Sequence, residues 1–235
     1  MRFLACFGII SLVGSTVVPG AVTIDEFISQ QLLIVDAAPP ATIQQSALAP
    51  SALGGVTKTA GLVGDEMRIR TNPTGRQRLT FSMDADVNGL ARLTYDGSGD
   101  GILNPAGLGG IDLWSGHSGI EAGVAFSDLG GPIHFRIFDN ADITGSTFAE
   151  GTLAIPGGIL SGSAVSMVLP FSSLTTSGGV TAEQILSRTG AIEVTIDGTA
   201  SVRSGWDLNL NRLSIAGAGV AVPEPGSTFS LMLIG

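Results

Sequence analysis

Apolar residues recur at every second position in a series of short runs, and this period constrains the fold more than any other feature of the chain. Leu79, Phe81, Met83 and Ala85 alternate with Thr80, Ser82, Asp84 and Asp86, and Ala91, Leu93 and Tyr95 alternate with Arg92, Thr94 and Asp96. The same holds for Ile120, Ala122, Val124 and Phe126, for Ile133, Phe135 and Ile137, and for Val165, Met167, Leu169 and Phe171. It returns at Ile192, Val194 and Ile196 and at Trp206, Leu208 and Leu210. Successive side chains of a strand point to opposite faces, so one apolar and one wet face imply antiparallel strands covering a core.

Gly-, Asn-, Asp- and Pro-rich breaks separate the runs, among them Gly97-Ser98-Gly99, Gly130-Gly131-Pro132, Pro156-Gly157-Gly158 and Asp197-Gly198. Asn88-Gly89, set between two clean runs, predicts a tight hairpin turn. Helix is scarce. Thr181 to Leu186 predicts one turn capped by Thr181, and Ile24 to Val35 reads as a short helix or an entering strand. Ala37 to Ser51, rich in Ala, Pro and Gln, predicts an extended surface connection. Many short strands with Gly-rich turns favour a closed or double-layered architecture over a parallel sheet. The expected fold is all-β: a single antiparallel β-sandwich, jelly-roll-like, over residues 22–221.

Charge and cysteine usage remove several functions. Twenty acidic residues oppose eleven basic ones, for a net charge of -9. A polyanion of this kind repels phosphate backbones, so nucleic acid is not an expected partner. The only cysteine is Cys6, which excludes an internal disulfide framework and a thiolate zinc site.

Both ends read as addresses. Met1-Arg2, the apolar run Phe3 to Val18 and the small residues around Gly20-Ala21 have the layout of a secretory signal peptide over residues 1–21. Its removal takes Arg2 away and leaves a mature charge of -10. At the other end, Val222-Pro223-Glu224-Pro225-Gly226-Ser227-Thr228 is stiffened by two prolines that neither a helix nor a central strand accepts. An apolar stretch, Phe229 to Ile234, follows it. This tail resembles the PEP-CTERM sorting signal, in which a Pro-Glu-Pro motif precedes a transmembrane helix and an arginine cluster. The apolar stretch is shorter than the ~20 residues a span needs and no arginine follows, so residues 222–235 are expected to be a truncated form of the signal. The resemblance implies export and processing by an exosortase that reads Pro223, Glu224 and Pro225. It further implies delivery to the outer surface or extracellular matrix of a Gram-negative-type bacterium, with only transient membrane contact through the tail.

The middle of the chain resembles an ectodomain that recurs beside this signal. The resemblance rests on the order of Ile24-Asp25-Glu26-Phe27, Gly107 to Leu113, Leu169 to Leu174, Ala191 to Gly198 and Trp206 to Leu210. It implies a jelly-roll sandwich similar in outline to carbohydrate-binding modules. No binding residue carries over.

Among chemical motifs, Asp96-Gly97-Ser98-Gly99-Asp100-Gly101 matches the first half of a calcium loop. Asp96, Ser98 and Asp100 would supply hard oxygens at alternate positions, and Gly101 the bend. Gly107 occupies the twelfth place, where a bidentate acid belongs, and an ordinary Asp-Gly turn uses the same residues. Gly116-His117-Ser118-Gly119 lacks the final glycine and strand-to-helix setting of a nucleophile elbow. His117 and His134, the only histidines, cannot form a three-histidine zinc site. Gly107-Leu108-Gly109-Gly110 has no phosphate-loop lysine. Sugar platforms use exposed aromatic rings, and here Trp114 and Phe138 are the candidates outside the alternating core positions. The expected function is that of a non-catalytic, exported surface or matrix protein, with a calcium-stabilised module that binds matrix polysaccharide as the alternative. A carboxylate-pair hydrolase stands behind both.

Overall fold

The computed structural model describes residues 21–43, 53–98, 102–162 and 164–218. The signal-peptide segment, Cys6, Asp100 and the Pro223-Glu224-Pro225 tail lie outside the described residues.

The chain forms β1 (Val22–Asp25), β2 (Gln31–Val35), β3 (Ala41–Ile43), β4 (Leu53–Ala60), β5 (Met67–Thr71), β6 (Leu79–Met83) and β7 (Asn88–Tyr95). It continues with β8 (His117–Ser127), β9 (Gly130–Asp139), β10 (Phe148–Pro156), β11 (Val165–Pro170), β12 (Thr175–Thr176), α1 (Ala182–Leu186), β13 (Thr189–Asp197) and β14 (Leu208–Gly217). These strands make two seven-stranded sheets. Sheet I runs β11-β8-β14-β6-β5-β2, with β1 also on β14; sheet II runs β12-β10-β9-β13-β7-β4-β3. Every pairing is antiparallel. The chain changes sheet repeatedly, as from β6 to β7, β7 to β8 and β8 to β9, which is the antiparallel sandwich that the alternation predicts.

The alternating apolar faces meet between the sheets. Leu79, Phe81, Leu93, Phe135, Val194, Leu208 and Leu210 are fully buried there. Trp206 is the largest of the buried side chains; it packs edge-on to Phe81 at 5.8 Å and donates its indole N–H to Ser127 Oγ at 3.1 Å. A Cβ on Gly131 would come within 2.7 Å of the Trp206 ring, so that position of β9 needs glycine. Tyr95 on β7 donates its hydroxyl to Asp25 on β1 at 2.9 Å, a polar link between the sheets. Burial, and then the Asp25 charge, raise the Tyr95 phenol well above its ordinary pKa of 10.0.

Two expectations change. Asn88-Gly89 does not turn a hairpin: β6 and β7 lie in different sheets and Asn88 is already in a strand. The turn comes earlier, where Val87 N–H donates to Asp84 carbonyl and Asp86 takes φ 67°, and the buried Val87 carries the chain across the sandwich. The β8 alternation breaks at Ala125, where the register with β14 slips; Phe126 turns to the outer face and Ser127 inward to meet Trp206. Of the two readings open for Ile24 to Val35, strand is the one the chain takes, in two pieces, β1 and β2. The helical turn forms as expected, with Thr181 and Gln184 in a reciprocal capping box.

Candidate functional site

The polar partners of the core residues on β9, β10 and β13 lie side by side on the outer face of sheet II. Register sets them in two rows across the strands. Arg136 on β9 stands opposite Glu150 on β10 and Glu193 on β13; His134 stands opposite Thr152 and Thr195. Beyond β13, Thr195 faces Arg92 on β7. These residues floor a groove of about 520 Å³, closed at its far edge by Ser173 and Thr175. A smaller hollow between Thr195, Arg92 and Gly54-Gly55 of β4 adjoins it. A Cβ on Gly54 would meet Thr94 Oγ1 at 2.7 Å, so glycine keeps this end open and low. With strands about 4.8 Å apart, the four steps from β10 to β4 give a trench of roughly 19 Å.

Each charged group in the trench has a partner. The Arg136 guanidinium donates to Glu150 Oε2 from two nitrogens, at 2.8 and 3.1 Å, and lies 4.3 Å over the Phe148 ring. Arg92 Nε stands 3.5 Å from Glu193 Oε2. His134 bridges Thr152 Oγ1 at 2.9 Å and Asp197 Oδ2 at 3.4 Å. Asp197 also accepts the main-chain N–H of Thr199 and Ala200, which fixes its carboxylate. The result is a strip of alternating donors, acceptors and hydroxyls in which each arginine meets a carboxylate. Such a strip complements a ligand made of hydroxyl groups, which need both a donor and an acceptor.

Apart from His134, the residues singled out from sequence fall elsewhere. Asp96 is buried at the end of β7 and its carboxylate accepts the N–H of Ser98 at 2.9 Å and of Asn104 at 2.8 Å. Asp96 therefore ties the following loop to its own backbone. Among the described residues, no group of three or more His, Cys, Asp or Glu could hold a metal ion. Trp114 stacks on Phe171 at 5.6 Å and packs partly against the core. Phe138 is on the outer face of β9 but covered, with Phe148 set edge-on at 6.1 Å. His117 is half-buried, and neither ring nitrogen has a hydrogen-bond partner among the described residues. Of the trench, sequence reading singled out only His134; Arg136, Glu193 and Thr195 were visible as the wet half of an alternation, and nothing local signalled their pairing.

No family model matches the chain, and no curated protein matches it. Among solved structures, a family 11 carbohydrate-binding module from Clostridium thermocellum in complex with a β-1,3-1,4-mixed-linked tetrasaccharide aligns at 13% identity and TM-score 0.40, over 85% of this chain and 96% of that one. The solution structure of CtCBM11 aligns at 13% identity and TM-score 0.43, over 87% and 98%. An exo-β-agarase aligns at 10% identity and TM-score 0.40, over 84% of this chain and 25% of its own.

Proposed function

We propose that the protein is an exported, non-catalytic polysaccharide-binding β-sandwich that takes a neutral glycan chain in the trench of sheet II. The trench carries this assignment: it is long, rich in hydroxyls, and each of its arginines is already answered by a carboxylate. A neutral sugar polymer loses little by leaving water for such a surface, because each of its hydroxyls finds both kinds of hydrogen-bond partner.

The placement of the chain ends supports delivery through the C-terminal signal. Val22, next to the expected cleavage point, pairs with Ile215 near the end of β14, and Ala218 N–H bonds back to Gly116 carbonyl. The two ends of the described chain thus lie close together on sheet I, while the trench opens on sheet II. In this proposal an exosortase reads Pro223-Glu224-Pro225 and the trench stays accessible. Among the described residues, no helix is long and apolar enough to cross a membrane.

Affinity electrophoresis of the full chain through gels holding neutral β-glucans, dextran or agarose tests the trench. At least one neutral polymer should retard the protein, and Arg136→Ala or Thr195→Arg should weaken that binding by about tenfold or more, the loss expected for a charge-assisted hydrogen bond or a blocked site. Retardation by none of the polymers, or by one equally in both variants, sinks the assignment. Release of reducing ends that stops in Glu193→Gln would overturn its non-catalytic part.

A further inference from the structure

On the opposite face of the sandwich the arginines of one hairpin stand apart from the rest. Among the described residues, Arg68, Arg92, Arg136, Arg188 and Arg212 each pair with a carboxylate. Arg70, Arg76, Arg78 and Arg203 make no ion pair, and three of these belong to the single hairpin β5–β6, in a chain of net charge -9. Arg70 stands opposite Thr80 in the hairpin, and Asn72 bonds to the carbonyl of Arg78 one step on. Arg70 and Arg78 are therefore diagonal neighbours on the outer face of sheet I, within reach of one another. Their Nε atoms are covered and have no hydrogen-bond partner while both residues stay half-exposed. The stems thus lie against the sheet and the terminal nitrogens face out.

Beside Arg70 lies a cleft of about 390 Å³, lined by Gln30, Leu32, Arg70, Thr71, Pro73 and Thr74. Its size falls in the range of small-ligand clefts. The lining mixes hydroxyls with apolar surface, and Leu32 is 52% exposed there. The loop that walls the cleft is pinned in place. Thr71 Oγ1 donates to Ser29 carbonyl at 2.6 Å, Asn72 Oδ1 accepts Gln77 N–H at 3.1 Å, and Asn72 Nδ2 donates to Ile28 carbonyl. The carboxylates of this face sit toward its other end: Glu66 is taken by Arg68 at 2.6 Å, and Asp207 lies near Ser82 and Arg68.

We infer that this cleft and the Arg70–Arg78 pair form a second binding site, separate from the trench, for a carboxylate-bearing sugar of an acidic polysaccharide. A planar guanidinium matches a carboxylate with two parallel N–H donors, and the Leu32 and Pro73 surfaces accept the C–H edges of a sugar ring. The two sites lie on opposite faces, so one molecule can bridge a neutral and an acidic glycan chain, the bivalent geometry of a matrix cross-linker.

Affinity electrophoresis of the full chain against polygalacturonate, dextran sulfate and neutral dextran, at low and physiological salt, tests the site. Polygalacturonate should retard the protein, less so as salt rises. Arg70→Ala combined with Arg78→Ala should cost about tenfold or more in affinity, and Arg70→Lys should fall between, because it keeps the charge but not the fork. Binding of a neutral glucan should be the same in the double variant, which separates failure of this site from failure of the trench. Leu32→Asp, which leaves both guanidinium stems in place, should abolish retardation even if the double variant folds poorly. Absence of retardation by polygalacturonate, retardation unchanged in Leu32→Asp, or retardation by dextran sulfate alone would each overturn the proposal.

Discussion

The two outer faces of the sandwich use the same residue type to opposite ends. On sheet II, Arg136 and Arg92 are held by Glu150 and Glu193, so neither guanidinium is left without a carboxylate. On sheet I, Arg70 and Arg78 are left without a carboxylate, so the β5–β6 end carries a net positive field in an acidic molecule. The inner faces differ far less, because both must supply apolar surface to one core. What a face of this sandwich can bind therefore depends on whether a carboxylate lies opposite an arginine, as Glu150 does to Arg136, or diagonal to it, as Glu193 does to Arg92.

If the two faces are independent sites on a shared support, a substitution in that support should disable both together. Trp206 is the sharpest probe, since it lies under Gly131 of sheet II and bonds to Ser127 of sheet I. Trp206→Ala should destabilise by about 3–5 kcal/mol, the usual range for deleting a large buried ring. Urea unfolding should show this loss, with both glycan-binding activities falling at the same denaturant concentration. Separate losses would show that the faces do not rest on one support.

A smaller effect belongs to sheet I alone. Glu121 is nearly buried on β8 and accepts hydrogen bonds from Ser166, Arg212 and Ser214. Burial pushes its carboxyl upward, but these donors outweigh it and hold the group below its ordinary 4.5. A carboxyl depressed in the folded state stabilises fully above its unfolded pKa and loses that contribution as pH falls through the folded value. Acid should therefore loosen the β8–β11–β14 end of sheet I below about pH 4.5. Glu121→Gln should cost on the order of 1–3 kcal/mol near neutrality and flatten the acid limb of a stability–pH curve. An unchanged acid limb would show that other carboxyls dominate it.

The contrast between faces also explains what could be read from the chain. The core was legible because burial depends on local period: Phe81, Phe135, Val194 and Leu208 are buried as their alternation requires. The Thr181 cap was legible because its partner, Gln184, is three residues away. Asn88-Gly89 misled because turn chemistry is local but the choice of sheet is not; the buried Val87 sends the next strand across the sandwich. Phe126 and Ser127 exchange faces through a bulge that a period-two reading has no means of placing. Phe138 is covered by Phe148, which sits ten residues further along the chain. The trench was hidden in the same way. Its side chains were in view, but Arg136 acquires its meaning from Glu150 and Glu193, on strands that only the folded register brings alongside.

The smallest expected effect sharpens the comparison most, because it has opposite signs on the two faces. Arg136 and Glu150 are each 43% exposed at the side chain, so their ion pair contributes at most about 1 kcal/mol. The stacked Phe148 ring adds roughly 0.5–1 kcal/mol. Arg136→Met should lower stability by that modest amount, since it also leaves Glu150 and Glu193 facing each other across β9. Arg78 has no carboxylate to lose and a like charge, Arg70, diagonal to it. Arg78→Met should therefore leave stability unchanged or raise it by up to about 0.5 kcal/mol, within the usual range for surface substitutions. Paired thermal melts at low salt read the difference, and added salt should shrink both effects. Equal destabilisation by the two substitutions would mean that Arg78 is as well partnered as Arg136, and the distinction between the β5–β6 hairpin and the trench would fail.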